Sequence, residues 1–432
     1  MNRIILLSIL MLGLLTSCFE STDEPVVGRI VHMDIDDAVT LYIAPPGSNQ
    51  ARRVKANASD YFGGVLFKIT EDGVIKQVTY TNQFDKEVTE YFTPINICIV
   101  EDSPYFFVKF TNGTYMVNKT TGAVYETPDV GNGDAMIGVQ NGDIKFSNEK
   151  TIKADKKGNI YYKSGSTVRK IDVTDVNLIK DESLTPAEDD VSMYVVSNNG
   201  ELLYRIYRDG DCFHRLRTTS GRLIPIDISC DYTGHDYLAF RGFDGNIHVF
   251  DRRAISIIKF TDDDSFEVED IITDNCRVHT MTCLCNTAYF MGYYPFLVKL
   301  PDRYLVINYE GRAMVLDSKN DRSLITCVTY DVTGGMKISS LQYNDSYVYC
   351  CGQRDGKYSL LRINPYTYEY EAILRDNNYE IYSFVVKDDN TITFTGLRLS
   401  DGKSIIANID KNGNVEVLEE VGGTSITLNR IQ

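Results

Sequence analysis

The densest group of metal-type ligands in the chain is Cys276, His279, Cys283 and Cys285. Thiolate and imidazole are donors that zinc prefers. Their C-x2-H-x3-C-x-C order is not a paired knuckle, however, and Cys283 and Cys285 stand two apart, as residues on one face of a strand do. They read as buried thiols, and neither a metal nor another cofactor is expected. The same insert, Cys276–Pro301, carries Tyr289, Phe290, Tyr293, Tyr294 and Phe296. Exposed aromatics stack on sugar rings or anchor a protein partner, whereas rings packed between sheets are core. Tyr289, Tyr293, Tyr294 and Phe296 are therefore carried forward as a ligand-binding surface, with core packing as the rival reading. Of the five histidines, His235 stands just before an expected innermost strand at Tyr237–Arg241 and would approach a central channel. No Ser/His/Asp spacing identifies a nucleophile and its base, so no catalytic residue is assigned.

Acidic clusters occur at Asp34-Asp36-Asp37, Glu188-Asp189-Asp190 and Asp262-Asp263-Asp264. Paired carboxylates can serve glycoside cleavage or hold calcium. Asp262–Asp264 fall in an expected hairpin turn, where aspartate suits the backbone. Asp410-Lys411-Asn412-Gly413-Asn414 begins like a calcium loop but has Val415 where that loop requires glycine, and it reads as a turn. The glycine-rich Thr127–Asp143 lies between no strand and helix, so it is not a phosphate loop.

The start of the chain carries different chemistry. Arg3 precedes an apolar run from Ile4 to Leu15, followed by Leu15-Thr16-Ser17-Cys18. The run is shorter than the roughly 18 residues that span a bilayer, so it reads as an export signal. Its ending resembles the lipobox of bacterial lipoproteins. That resemblance implies cleavage before Cys18, acylation of its thiol (the palmitate type of anchor), and Phe19 rather than aspartate behind it implies the outer membrane. Residues 1–17 are then the signal peptide and 18–26 a polar, acidic tether. Several acyl chains anchor stably where one does not.

Composition narrows the partners. The formal net charge is −16, which disfavours nucleic acid, whose phosphates need a basic surface. It offers no polybasic patch for headgroups either. Ten cysteines less Cys18 leave an odd, irregularly spaced set, several of them inside apolar strand patterns such as INICIV (Cys98), LITCV (Cys327) and YVYC (Cys350). They read as small core hydrophobes rather than a disulfide framework. Cys350 and its neighbour Cys351 point to opposite faces of a strand.

The elements that position these residues are strands. A unit of strand, polar turn and returning strand recurs at Leu66–Val78, Tyr115–Tyr125, Val168–Ile179, His214–Ile226, Ile255–Val268, Ala313–Ile325, Leu360–Ile373 and Ile405–Leu418. The spacing is about 49 residues, that of a four-stranded propeller blade. Further turns are expected at Asn199-Gly200, Asp244-Gly245, Asp355-Gly356 and Asp401-Gly402, dipeptides that tolerate positive φ. The predicted fold is all-β, a single β-propeller over 27–432 with eight blades, or seven. Arg29–Ile35 and Ser425–Ile431 are the candidates for the inner strands of the first unit, the latter closing the ring.

Repeat spacing and phrases such as Gly158-Asn159-Ile160-Tyr161-Tyr162 make most of 27–432 similar to bacterial lipoproteins with β-propeller domains. The complete absence of tryptophan speaks against quinone-cofactor dehydrogenases of this fold. The expectation is a non-catalytic propeller, lipid-anchored at the outer membrane, binding a protein or glycan partner. A scaffold in outer-membrane protein assembly, and a polysaccharide lyase or hydrolase acting at the channel, are the alternatives.

Overall fold

The computed structural model describes residues 27–45, 64–100, 103–127, 153–270 except 177, 209–210, 227–237, 251–254 and 262–264, and 296–431 except 308–309, 319–329, 345, 375–377 and 422–425. Among these residues the regular structure is strand, apart from one 3-10 turn at Thr89–Tyr91.

The strands form eight four-stranded antiparallel sheets and one two-stranded ribbon. Seven sheets are runs of four successive strands. The second sheet opens with Pro94–Ile99, the third with Lys153–Ala154, the fourth with Asp190–Val196 and the fifth with Leu238–Arg241. The sixth opens with Phe296–Lys299, the seventh with Lys337–Asn344 and the eighth with Tyr379–Val386. Opening strands lie against one another between the third and fourth, fourth and fifth, sixth and seventh, and seventh and eighth sheets, which places them on the inner side. This is a β-propeller.

The first sheet joins distant parts of the chain. Ala38–Ala44, Val65–Thr70 and Ile75–Gln77 pair in order, and Asn429–Arg430 pairs beside Ala38–Ala44 in the innermost place. Ile426, Leu428 and Ile431 around that strand are buried. Within the stretch Ser425–Ile431 expected to close the ring, Asn429–Arg430 is the strand that does so, and Ser425 lies outside the described residues. Arg29–Ile35 does not supply an inner strand. Ile30–Met33 pairs with Tyr80–Asn82 as a separate ribbon against the outer edge of the second sheet. The reason is the apolar face of the ribbon: Ile30, Met33 and Tyr80 complete a core in which the Tyr80 ring meets Phe92 and Phe110 edge-on, at 6.4 and 5.3 Å.

The eight repeated units are the third and fourth strands of each sheet. In the third and sixth sheets the returning strands, Lys180–Ser183 and Tyr330–Asp331, lie beyond the stretches the spacing predicts. Inner and middle strands such as Ala38–Ala44 and Val65–Thr70 are covered on both faces, so their buried residues run together instead of alternating. In Tyr347–Arg354, Cys350 enters the core between the sixth and seventh sheets, while Cys351 enters the core between the seventh and eighth. Both are free thiols, as is Cys98, and burial pushes the Cys350 thiol well above its ordinary range. Cys327 lies outside the described residues.

Candidate functional site

Antiparallel order divides the propeller into two faces. Turns between first and second and between third and fourth strands lie on one face. Turns between second and third strands, and the crossings from sheet to sheet, lie on the other.

The first face is knit to itself. The Lys156 amide donates to the Asn198 carbonyl and the Asn198 amide to the Gly245 carbonyl, each at 3.0 Å, linking the third, fourth and fifth sheets. Asn344 Nδ2 donates to the Lys387 carbonyl, and Lys387 Nζ to the Glu71 carbonyl, again at 3.0 Å, linking the seventh, eighth and first. The Tyr366 hydroxyl donates to Asp302 at 3.2 Å between the seventh and sixth. Arg241 Nη1, on the inner strand of the fifth sheet, reaches past the fourth to the Ala154 carbonyl of the third at 2.7 Å.

Polar side chains on this face are committed to its turns. Asp155 accepts from the amides of Lys157 and Asn159 and from the Tyr161 hydroxyl. Burial first, then Asp155, pushes the Tyr161 phenol far up. Asp410 accepts from the amides of Asn412 and Asn414, both at 2.8 Å, so the stretch resembling a calcium loop is a turn. Asp244 takes the Asn246 amide at 3.0 Å and Nε2 of buried His248 at 3.2 Å. Burial raises the Asp244 carboxyl, but the bonds from His248 and Asn246 prevail and hold it well below the usual carboxylate range. The His248 ring also lies 5.5 Å from Phe240, and the Tyr304 ring lies 4.8 Å from Phe240.

The connection face is built differently. The described strands leave it at Ala44, Glu126, Ile226 and Asp270 and return at Val65, Lys153, Leu238 and Phe296. The chain between these points, chiefly residues 46–63, 128–152, 227–237 and 271–295, is longer than any turn of the opposite face except 319–329. The crossing Leu184–Asp189 is short and fully described. It delivers Asp189, whose side chain is completely buried, to Arg215 at 2.7 Å and Arg208 at 3.6 Å. The Tyr204 hydroxyl donates to Asp189 at 3.2 Å, and burial, then that carboxylate, pushes the phenol up to about 12. This cluster clamps the fourth sheet. The acidic triplet at 188–190 gives one buried structural charge flanked by the exposed Glu188 and Asp190.

Of the residues singled out from sequence, Cys18, His235, Cys276, His279, Cys283, Cys285, Tyr289, Tyr293 and Tyr294 lie outside the described residues, as do Asp262–Asp264. Phe296 opens the inner strand of the sixth sheet and pairs with Ile307. His32, His214 and His248, the histidines that are described, all lie off the innermost strands. No grouping of three or more His, Cys, Asp or Glu suited to a metal occurs among the described residues. The Asp244–His248 pair was readable in principle, because a tight turn brings positions four apart together. Asp189 with Arg215 was not, since their meeting depends on how a crossing enters the core.

No protein-family model matches this chain, and no curated protein matches it. Solved structures do. Virginiamycin B lyase from Staphylococcus aureus shares 14% identity over 62% of this chain and 82% of its own, with a TM-score of 0.36. A Bacteroides fragilis protein provisionally described as a 6-phosphogluconolactonase shares 10% identity over 92% of this chain and 98% of its own, at 0.40. YCF48 bound to D1 peptide shares 10% identity over 87% and 92%, at 0.38. At these values nothing about activity or ligand passes to this chain, and the fold assignment rests on its own sheets.

Proposed function

We propose that this protein is a lipid-anchored, non-catalytic propeller of eight blades that binds a protein or glycan partner through its connection face at the outer membrane. One observation carries the reading. Four of the long connections gather on one face, while the turns of the other, apart from 319–329, are short and several bond to each other. In repeat folds, insertions collect on the face that binds. The insert aromatics Tyr289, Tyr293 and Tyr294, and His235, all belong to crossings of that face. The anchor part rests on Cys18 and its lipobox-like setting.

The two parts are tested separately. Cys18→Ser should abolish palmitate labelling and move the protein from the membrane to the soluble fraction; continued labelling would remove the anchor. For binding, a photo-crosslinking amino acid replaces Tyr293 on the connection face or Asn412 on the turn face. Adducts in intact cells should form from position 293 and not from 412. Equal adducts, or adducts from 412 alone, would sink the assignment of the face.

A further inference from the structure

We propose that the hairpin at residues 80–88 rests on the lipid surface to which Cys18 is tethered, with the Phe84 ring entering the headgroup layer. The proposal depends on the anchor reading of Cys18 and adds an orientation to it.

Phe84 is 54% exposed, the most exposed aromatic residue among those described. It is held in place. Asn82 Oδ1 accepts the amides of Phe84 and Lys86 at 2.9 and 3.0 Å, and the Asp85 amide donates to the Asn82 carbonyl at 3.0 Å. The ring is thus presented by a structured tip, so its exposure is not relieved by folding the tip back.

The same asparagine fixes the point where the tether joins the body. Buried Asn82 donates through Nδ2 to the Val27 carbonyl at 2.8 Å. The next residue, Gln83, donates its amide to the Arg29 carbonyl at 3.3 Å and accepts the Arg29 amide at 2.6 Å. The tip and the tether junction are therefore one structural unit. The chain from Cys18 to Val27 reaches about 30 Å at most when fully extended. A short tether raises the effective concentration of whatever flanks its attachment. Here that is Phe84.

The flanking charges select the type of surface. Asp85, Lys86 and Glu87 at the tip are exposed and sum to one negative charge. Attraction to anionic headgroups is therefore not the driving force, and a zwitterionic surface fits. An aromatic ring suits the boundary between headgroups and acyl chains.

The chain contains no tryptophan, so Phe84→Trp creates a single fluorescent probe. The control is Val268→Trp, at a 42% exposed site on the outer strand of the fifth sheet. Each full-length lipid-modified variant is placed in phosphatidylcholine vesicles containing brominated acyl chains. Phe84→Trp should be quenched on the order of threefold more than Val268→Trp, with a blue-shifted emission and loss of iodide access. Equal quenching overturns the proposal. A second preparation replaces residues 1–18 with a hexahistidine tag and uses nickel-chelating lipid in the same vesicles. If only the natural form fails to float with vesicles, the anchor reading falls. If the tagged form floats with Phe84→Trp still open to iodide, the hairpin contact falls by itself.

Discussion

Replacing Asp189 by asparagine keeps its shape but removes the charge that faces Arg215 and Arg208. Because the carboxylate is completely buried, the loss should cost about 3 kcal/mol, seen as a lower urea midpoint with an unchanged m-value. Asp190→Asn, one residue on and exposed, should stay within about 0.5 kcal/mol of wild type. Asp244 adds a pH dependence. Its folded-state pKa is depressed, so its contribution is present above the unfolded value of about 3.9 and is lost as pH falls towards the folded value. Asp244→Asn should therefore show a smaller stability difference between pH 7 and pH 3 than wild type, by urea titration at each pH. The cysteines make a third prediction. Cys98, Cys350 and Cys351 should resist thiol reagents in the native protein and react after unfolding, as mapped by mass spectrometry of the labelled peptides. Their burial was legible from apolar strand patterns alone. The environment of Asp189 was not, because a run of three acidic residues looks the same whether its middle member is solvated or enclosed.

Turns were the most legible elements. Asp355-Gly356 forms a two-residue hairpin loop between Arg354 and Lys357, with both residues at positive φ, 52° and 75°. A side chain at 356 would meet open space, whereas one at Gly245 would fall 1.9 Å from Asn198 Nδ2. Gly356→Ala should cost about 1 kcal/mol through backbone strain. Gly245→Ala should cost more, because it also disturbs the Asn198–Gly245 hydrogen bond between the fourth and fifth sheets. Thermal melts of the pair separate the two effects. Returning strands were less legible than turns. They are the outermost strands and carry fewer apolar residues, as in Lys180–Ser183 (KDES), so periodicity marks them weakly. The ribbon strand Ile30–Met33 was misplaced for the opposite reason. It is apolar enough to be an inner strand, and only the partners in Tyr80–Asn82 decide where it goes.

At the scale of the whole molecule, the repeat was visible because each sheet needs the same hairpin. The division of labour between the faces was not, because it follows from sheet order and from which turns bond to each other. The closure gives the sharpest test. Deleting residues 426–432 removes the innermost strand of the first sheet together with buried Ile426, Leu428 and Ile431. The shortened chain should lose cooperative unfolding by circular dichroism and become sensitive to protease within the first and eighth sheets; a melt like that of wild type would contradict the closure. The same feature bears on how the molecule is made. Residues 38–77 are synthesised long before the strand that completes their sheet, so the ring stays unlatched until Asn429–Arg430 is available. Repeats in the middle can fold as they emerge, but the seam cannot. A product cut short just before residue 426 would carry an almost full set of sheets and still expose the raw edge of Ala38–Ala44, which makes residues 426–431 the checkpoint for the first sheet.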